Sequence, residues 1–565
     1  MPIHGSVDQR AVDFIDHLDD WLEYLIRVIE LAGEDHQTRV KYERQIKYLI
    51  RFRQGANSNI RHNILLQHHY SSASVISPRR PAARSNRSAE QRVQAVFAAA
   101  AQIAAVSDMA LNVAAPLQKG YSASGDEAFE LIRDALAAED LYFLQGPPGT
   151  GKTTAIVEVI LQTLKARPEA RILVASETHV AVDNALDRLC LVGHESIRQR
   201  TMRYPRYAIT EYESPGTAST AAEVRANEVW NRALAYAPAL TNVLYKVLEQ
   251  GALDDGEVRV PRWQFRNLAD SHQVIGVTCN QIDHLLDDDS EAFDLVIVDE
   301  CSKATLPEWI MAMSVGRKCI LVGDHKQLPP TFCEEESEAL DSLAEAKARL
   351  IKDGVIDRIF ENLPKSMKGQ LGRQYRMLPH IGTFISESFY GGSLEHHRQT
   401  ADHAFTAFGW LNYTSNGYRV PAQYGADLVN QREIEIITRK LIEMYGQCRL
   451  AAMESGLRKL SVAVITPYRA QCRALRAALR ELDLHGHLAV EVDTVDAFQG
   501  RQADIVFFSF VRTTGSAAFY ADPRRMNVAI SRARDAVYLV GDRVYIKSRK
   551  IDVLDRLLRL DVLSA

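Results

Sequence analysis

Long apolar runs are absent: no stretch approaches eighteen uninterrupted apolar residues, so no membrane-spanning helix is expected. The first residues, from Met1 to Ser6, lack the basic and apolar segments of a secretory signal. The seven cysteines, at 190, 279, 301, 319, 333, 448 and 472, include no Cys-x2-Cys hook. An odd, dispersed set predicts buried thiols in a reducing compartment, not a zinc or iron–sulfur centre. Together these absences predict a cytoplasmic setting. An excess of basic charge is missing too. Lys and Arg number 67 against 72 Asp and Glu, a formal net charge of −5. That excludes a histone-like polybasic mode but leaves room for a locally basic channel. There is no short-period repeat and no low-complexity tract.

What is present is an ordinary globular composition, 46% hydrophobic and 25% charged, over 565 residues. That length suits several domains, not one core. Residues 8–66 read as helical. Val12, Phe14, Ile15, Leu18, Trp21, Leu22, Leu25 and Ile26 fall on one broad apolar face, and Tyr48, Leu49 and Ile50 mark a second helix. Residues 69–92 are rich in Pro, Ser and Arg and read as a linker. Glu90 to Met109 is Ala-rich and favours helix, as does 126–138.

The run Gly146, Pro147, Pro148, Gly149, Thr150, Gly151, Lys152, Thr153 fits the phosphate-binding pattern Gly-x4-Gly-Lys-Thr. It follows an apolar strand at 141–144 and precedes a helix beginning near Thr154. In that context loop amides surround a β-phosphate, Lys152 neutralises β/γ charge, and Thr153 offers an oxygen to Mg²⁺. A second apolar strand, 295–298, ends in Asp299 and Glu300. Asp299 is placed for Mg²⁺ and Glu300 to polarise an attacking water. A third, 319–322, leads into Asp324 and Gln327, at the strand end where open α/β sheets bind ligands.

Strands at 171–175 and 274–278, alternating with helices, indicate a parallel sheet covered on both faces. The segment 212–258 reads as a helical insertion. A second α/β series begins near 346, with strands at 462–465, 505–508 and 536–540 and no second phosphate loop. The fold class is α/β, with a helical N-terminal region at 1–119, a first nucleotide-binding domain at 120–345 and a second domain at 346–565. In that second half Arg376 and Arg532 suit a charged phosphoryl transition state, and Arg534 suits a salt bridge.

Eight segments in order resemble a superfamily 1 helicase of the Upf1-like group, also called the DNA2/NAM7 helicase family. They are GPPGTGKTT, ILVASETHVAVDNALDRL, VIVDECSKAT, LVGDHKQLPP, LGRQYRMLP, VITPYRAQ, VDTVDAFQGRQADIVFFS and RRMNVAISRAR, spanning roughly 120–545. The resemblance implies two RecA-like domains, with ATP in the cleft between them, that move 5′-to-3′ on single-stranded DNA or RNA. It assigns Gln327, Arg376 and Arg532 to the γ-phosphate, Tyr375 to the adenine, and Gln499 and Gly500 to coupling. Strand contacts carry over to Thr178, His179 and on to Asn184, to Thr278, to Thr466, Pro467 and Tyr468, and to Thr494. Such groups address phosphates and sugars more than bases.

Three departures stand out. Lys303 occupies the place of the family's Gln in its DExxQ segment. No adenine-reading Gln lies close before the phosphate loop; Gln118 and Gln91 are the distant candidates. Residues 1–120 show no β-barrel pattern; they form a possible protein-partner region. A monomer is the default expectation. The alternatives are a nucleic-acid-stimulated ATPase that remodels complexes without unwinding, and a non-enzymatic nucleic-acid scaffold.

Overall fold

The computed structural model describes residues 9–53, 111–118, 126–204, 272–284, 293–415 and 428–563, apart from 354–358 and a few shorter gaps. The expected linker at 69–92, the Ala-rich helix, the insertion at 212–258 and Gln91 lie outside the described residues.

The described residues form two compact units. The first takes those of Met1–Gln145, Lys152–His325 and Pro329–Leu371; the second takes Gly146–Gly151, Lys326–Leu328 and Gly372–Ala565.

In the first unit seven strands run parallel: β1 (Leu141–Gln145), β2 (Ile172–Ser176), β3 (Thr201–Arg203), β4 (Val274–Thr278), β5 (Phe293–Asp299), β6 (Gly316–Gly323) and β7 (Lys368–Gln370). Their order is β3-β4-β2-β5-β6-β1-β7. A second α/β series is expected from near 346, yet β7 lies beyond that point and pairs with β1.

Strand residues alternate between two buried clusters, as the two-residue side-chain period requires. Leu141, Phe143, Leu173, Val296 and Val298 enter one; Tyr142, Leu144, Ile172, Val174 and Ile297 enter the other. The first face is covered by α1 (Gln9–Leu31) and α2 (His36–Arg53) with later helices, Glu345–Asp353 among them. The second is covered by α3 (Glu127–Ala137), α4 (Lys152–Ala166) and α5 (His179–Val192). Both faces are therefore dry, and the strands read as near-continuous apolar runs. The later helices on the first face also include α6 (Leu306–Met313) and α7 (Glu334–Asp341).

Of the expected apolar face of α1, the side chains of Val12, Phe14 and Ile15 lie outside the described ones, and among the rest Ile26 is a correction. Leu18, Trp21 and Leu25 are buried, joined by Tyr24 and Val28, but Ile26 is half exposed. In α2, Tyr48 and Leu49 are buried while Ile50 is exposed. Among the described residues no helix is long and apolar enough to cross a membrane. The cysteines are all free thiols, and Cys333 is exposed, contrary to the expectation that all are buried.

The second unit holds a two-stranded piece, β8 (Arg373–Gln374) with β9 (Glu395–His396), and a five-stranded parallel sheet. That sheet orders β10 (Phe408–Asn412), β14 (Ala533–Gly541), β13 (Ala503–Ser509), β11 (Leu460–Thr466) and β12 (Leu488–Thr494). Helices α8 (Pro379–Phe389) and α11 (Pro523–Ile530) supply one buried cluster. Helices α9 (Gln431–Ser455) and α10 (Arg469–Arg480) supply the other.

Candidate functional site

In the first unit the candidate residues gather at the C-terminal ends of the parallel strands and at helix starts. Lys152 is the first residue of α4, with Thr153 and Thr154 in its opening turn. A helix start carries free amides and positive potential, which suits phosphate. The Lys152 Nζ lies 3.8 Å from Glu300 Oε1. Asp299, the last residue of β5, is buried, and its Oδ1 accepts from the Glu300 backbone amide at 2.8 Å. Burial first, then the Glu300 charge, pushes the Asp299 carboxyl up to about 7, with Lys152 and the Glu300 amide opposing. Glu300 adopts φ +50°, the left-handed region, at a cost of about 1–2 kcal/mol for a non-glycine residue.

The turn that holds this geometry is packed tightly. Trp309 Nε1 donates to the Cys301 carbonyl at 2.8 Å, and Cys301 Sγ lies 2.7 Å from where a Cβ on Gly323 would sit. Asp324 is buried and accepts from Gln145 Nε2 at 3.2 Å, tying the ends of β6 and β1. Gln118 reaches the first turn of α4 despite its distance in sequence. Its Nε2 donates to Thr154 O at 2.9 Å, while its Oε1 is buried without a partner.

In the second unit the loop 146–151 is a compact turn. Thr150 Oγ1 donates to Pro147 O at 2.8 Å, and Gly149 and Gly151 take φ +75° and +86°. The Tyr375 amide donates to Gly149 O at 2.8 Å. Arg376 donates from Nε to Gln502 Oε1 at 3.0 Å and from Nη1 to Ser531 O at 2.9 Å. Buried Gln374 accepts from the Arg376 amide at 2.9 Å and fixes the turn. Arg532 is buried; its Nη2 donates to Gln327 Oε1 at 3.2 Å and its Nε to Val528 O at 2.9 Å. Arg376 and Arg532 thus both bond to Ser531, and Gln327 joins them through Arg532. Tyr375 is exposed, its ring 4.8 Å from that of His397. Gly500 takes φ +83°, and both amide atoms of neighbouring Gln499 are buried without partners. Arg534 lies 3.8 Å from Asp504.

The strand-contact candidates divide between the units. In the first, Thr178 caps α5 by accepting from the Ala181 amide, and Asn184 is exposed on the same helix. His179 is bonded to Arg203, which also pairs with Asp183 at 2.9 Å. Thr278 is tied through its amide and hydroxyl to Gln281 at 3.0 and 3.1 Å. In the second, Thr466 Oγ1 is buried without a partner. Tyr468 is bonded to Arg512 through its hydroxyl, beside Pro467. The Thr494 amide donates to Asp493 at 3.0 Å.

A hydroxyl and a lysine at a helix start, beside buried Asp299 and part-buried Glu300, suit a phosphate with a divalent cation. A separate Asp402–His403–Asp535 cluster is ion-paired to Arg398 and Arg458, and reads as structural. Sequence reasoning missed Gln502 and Ser531, which hold Arg376, and Arg203, which holds His179. Gln502 and Ser531 lie inside the quoted VDTVDAFQGRQADIVFFS and RRMNVAISRAR segments, which is the signal that could have found them; Arg203 lies in none of the eight.

Two family models, each described as an AAA domain, match this chain, one over residues 123–237 and 245–335, the other over 351–544. The chain is 27% identical over 475 residues to an uncharacterized ATP-dependent helicase of Methanocaldococcus jannaschii, covering 74% of this chain and 68% of that protein. It is 29% identical over 451 residues to the DNA-binding protein SMUBP-2 of Rattus norvegicus, covering 73% and 42%. It is 28% identical over 425 residues to the ATP-dependent helicase NAM7 of Saccharomyces cerevisiae, covering 71% and 40%. The chain thus spans less than half the length of these last two relatives.

Proposed function

The chain belongs to the Upf1-like group of superfamily 1 helicases, ATP-hydrolysing enzymes, and we propose that it is a motor moving 5′-to-3′ on single-stranded DNA or RNA. The observation that carries the reading is Lys152 at the head of α4, 3.8 Å from Glu300 and beside buried Asp299. In this reading Gly146, Pro147, Pro148, Gly149, Thr150 and Gly151 wrap the phosphates of ATP. Lys152 neutralises their charge. Thr153 and Asp299 hold Mg²⁺, which when bound offsets phosphate charge. Glu300 takes the proton of the attacking water. Gln327, Arg376 and Arg532 are the proposed partners of the γ-phosphate, Tyr375 is the proposed contact to the base, and Gln118 is a distant candidate for reading it.

Movement follows from differential contacts. The γ-phosphate attracts the arginines, hydrolysis removes that attraction, and the grip on the strand alternates. Thr178, His179, Asn184, Thr278, Thr466, Pro467, Tyr468 and Thr494 are the proposed strand contacts. Their hydroxyl and amide character favours backbone over base recognition.

The test is steady-state ATP hydrolysis with and without matched single-stranded DNA and RNA, in the wild type and in Glu300→Gln. We expect stimulation by one polymer and a loss of about 10²-fold or more in the variant. Hydrolysis indifferent to both polymers overturns the motor. Strand translocation without duplex separation would keep the motor and narrow it to one that remodels complexes without unwinding.

A further inference from the structure

The first unit holds a polar cavity lined by residues other than those assigned to ATP. It lies where α1 and α2 pack against the start of α5, the turn after β5 and the chain entering α7. Its volume is about 140 Å³. An engineered cavity of about 150 Å³ holds a benzene molecule, so a small organic ligand fits.

Two groups in its wall are buried and unsatisfied. Glu177 Oε2 and the Tyr24 hydroxyl have no hydrogen-bond partner. Tyr24 is 1% exposed, and both side chains line the cavity. A buried polar atom without a partner costs on the order of 1–3 kcal/mol, so two facing one space point to an occupant.

The remaining wall chemistry selects the occupant's charge. Three carboxylates, Glu177, Glu308 and Glu336, face two ammonium groups, Lys41 and Lys303. Lys41 Nζ lies 3.6 Å from Glu336 Oε1, and Tyr42 donates its hydroxyl proton to the same atom. Glu308 accepts from the Thr305 amide at 2.8 Å and from Asn280 Nδ2 at 2.9 Å. One negative charge is left over. Burial first, then Glu308 by charge and hydrogen bond, holds the Glu177 carboxyl well above its usual range, with Lys41 opposing.

We propose that this cavity binds a small monocation bearing N–H donors, an ammonium or guanidinium group, held by Glu177 Oε2 and the Tyr24 hydroxyl oxygen. Its place gives it reach. Thr178, the N-cap of α5, and Lys303, three residues past Glu300, share its wall. An occupant would link the N-terminal helices to the segment that follows the carboxylate pair. Binding at this cavity does not depend on the proposed motor activity.

The test uses the full chain and ethylammonium chloride as the probe, with tetramethylammonium chloride at equal concentration as the donor-less control. Thermal unfolding should shift upward by about 2 °C or more near saturation with ethylammonium and not with the control. The shift should vanish in Glu177→Gln, which keeps the side-chain shape, and fall in Tyr24→Phe. If Glu177→Gln does not fold, Tyr24→Phe alone carries the comparison. Equal shifts with both salts, an undiminished shift in the variants, or no shift because the cavity holds water only would each overturn the proposal.

Discussion

Gly149 and Arg376 are in contact so close that residue 149 has no room for a side chain. A Cβ on Gly149 would sit 2.6 Å from Arg376 Cβ and 3.3 Å from its amide nitrogen. The backbone at 149 also lies at φ +75°. Gly149→Ala therefore meets conformational strain of about 1–2 kcal/mol and a clash in addition. We expect a lower urea midpoint and weakened nucleotide binding, read by unfolding and by nucleotide titration. Wild-type values for both would show that the loop relaxes away from Arg376.

Arg532 donates to Gln327 at 3.2 Å while anchored to Val528 O. An arginine held this way needs little reorganisation to meet developing phosphoryl charge. Arg532→Ala should lower kcat for ATP by about 10²-fold or more, with a much smaller effect on nucleotide affinity. Arg532→Lys should recover little, because a point charge does not reproduce the planar fork. Unchanged turnover in Arg532→Ala removes this residue from the chemistry.

The long central strands were legible because burial on both faces writes them as apolar runs. The runs read at 141–144, 274–278, 319–322, 462–465 and 505–508 fall within β1, β4, β6, β11 and β13. The two- and three-residue strands β3, β7, β8 and β9 are too short to show any period. Strand order is equally invisible: β1 lies between β6 and β7, neighbours far away in the chain. Phosphate-loop and carboxylate residues stood out because their chemistry needs fixed spacing. Their holders did not, since Gln502 reaches Arg376 only through the fold. Ile26 shows the limit of the helical pattern, apolar and periodic yet half exposed.

Lys318 gives the first unit a pH signature. It is buried in β6, and its Nζ donates to Leu136 O at 2.7 Å. Burial first, then Arg167, lowers its pKa from 10.5 to about 7, with Asp140 opposing. Between those two values the unfolded chain binds a proton that the native state lacks. Stability therefore rises with pH across that window, by up to about 1.4 kcal/mol per unit from this group. Urea midpoints at successive pH values above 7 should show the rise, and Lys318→Met should flatten it. An equal slope in the variant assigns the effect to other groups.

Asp504 imposes the opposite dependence on the second unit. It accepts from Arg458 Nη1 and Nη2 at 2.8 Å each, from the Ser461 amide at 2.8 Å and from Ser461 Oγ at 2.7 Å. Burial alone would raise its pKa, but the bonds from Arg458 and Ser461 win and hold the carboxyl well below its ordinary 3.8. A depressed native pKa contributes stability that is fully present above the unfolded value. That contribution fades as pH falls through 3.8 toward the native pKa. Arg458 is 41% exposed, so solvent screens the pair and limits its worth. Asp504→Asn keeps the shape but removes the charge and one acceptor, and should cost about 1–3 kcal/mol at neutral pH. It should also blunt the loss of stability in acid, because the variant no longer has that proton to take up. Denaturant unfolding at neutral pH and near pH 3 checks both halves. A variant that is destabilised at neutral pH yet keeps the full acid slope would show that Asp504 acts through packing and hydrogen bonding without contributing to the pH dependence.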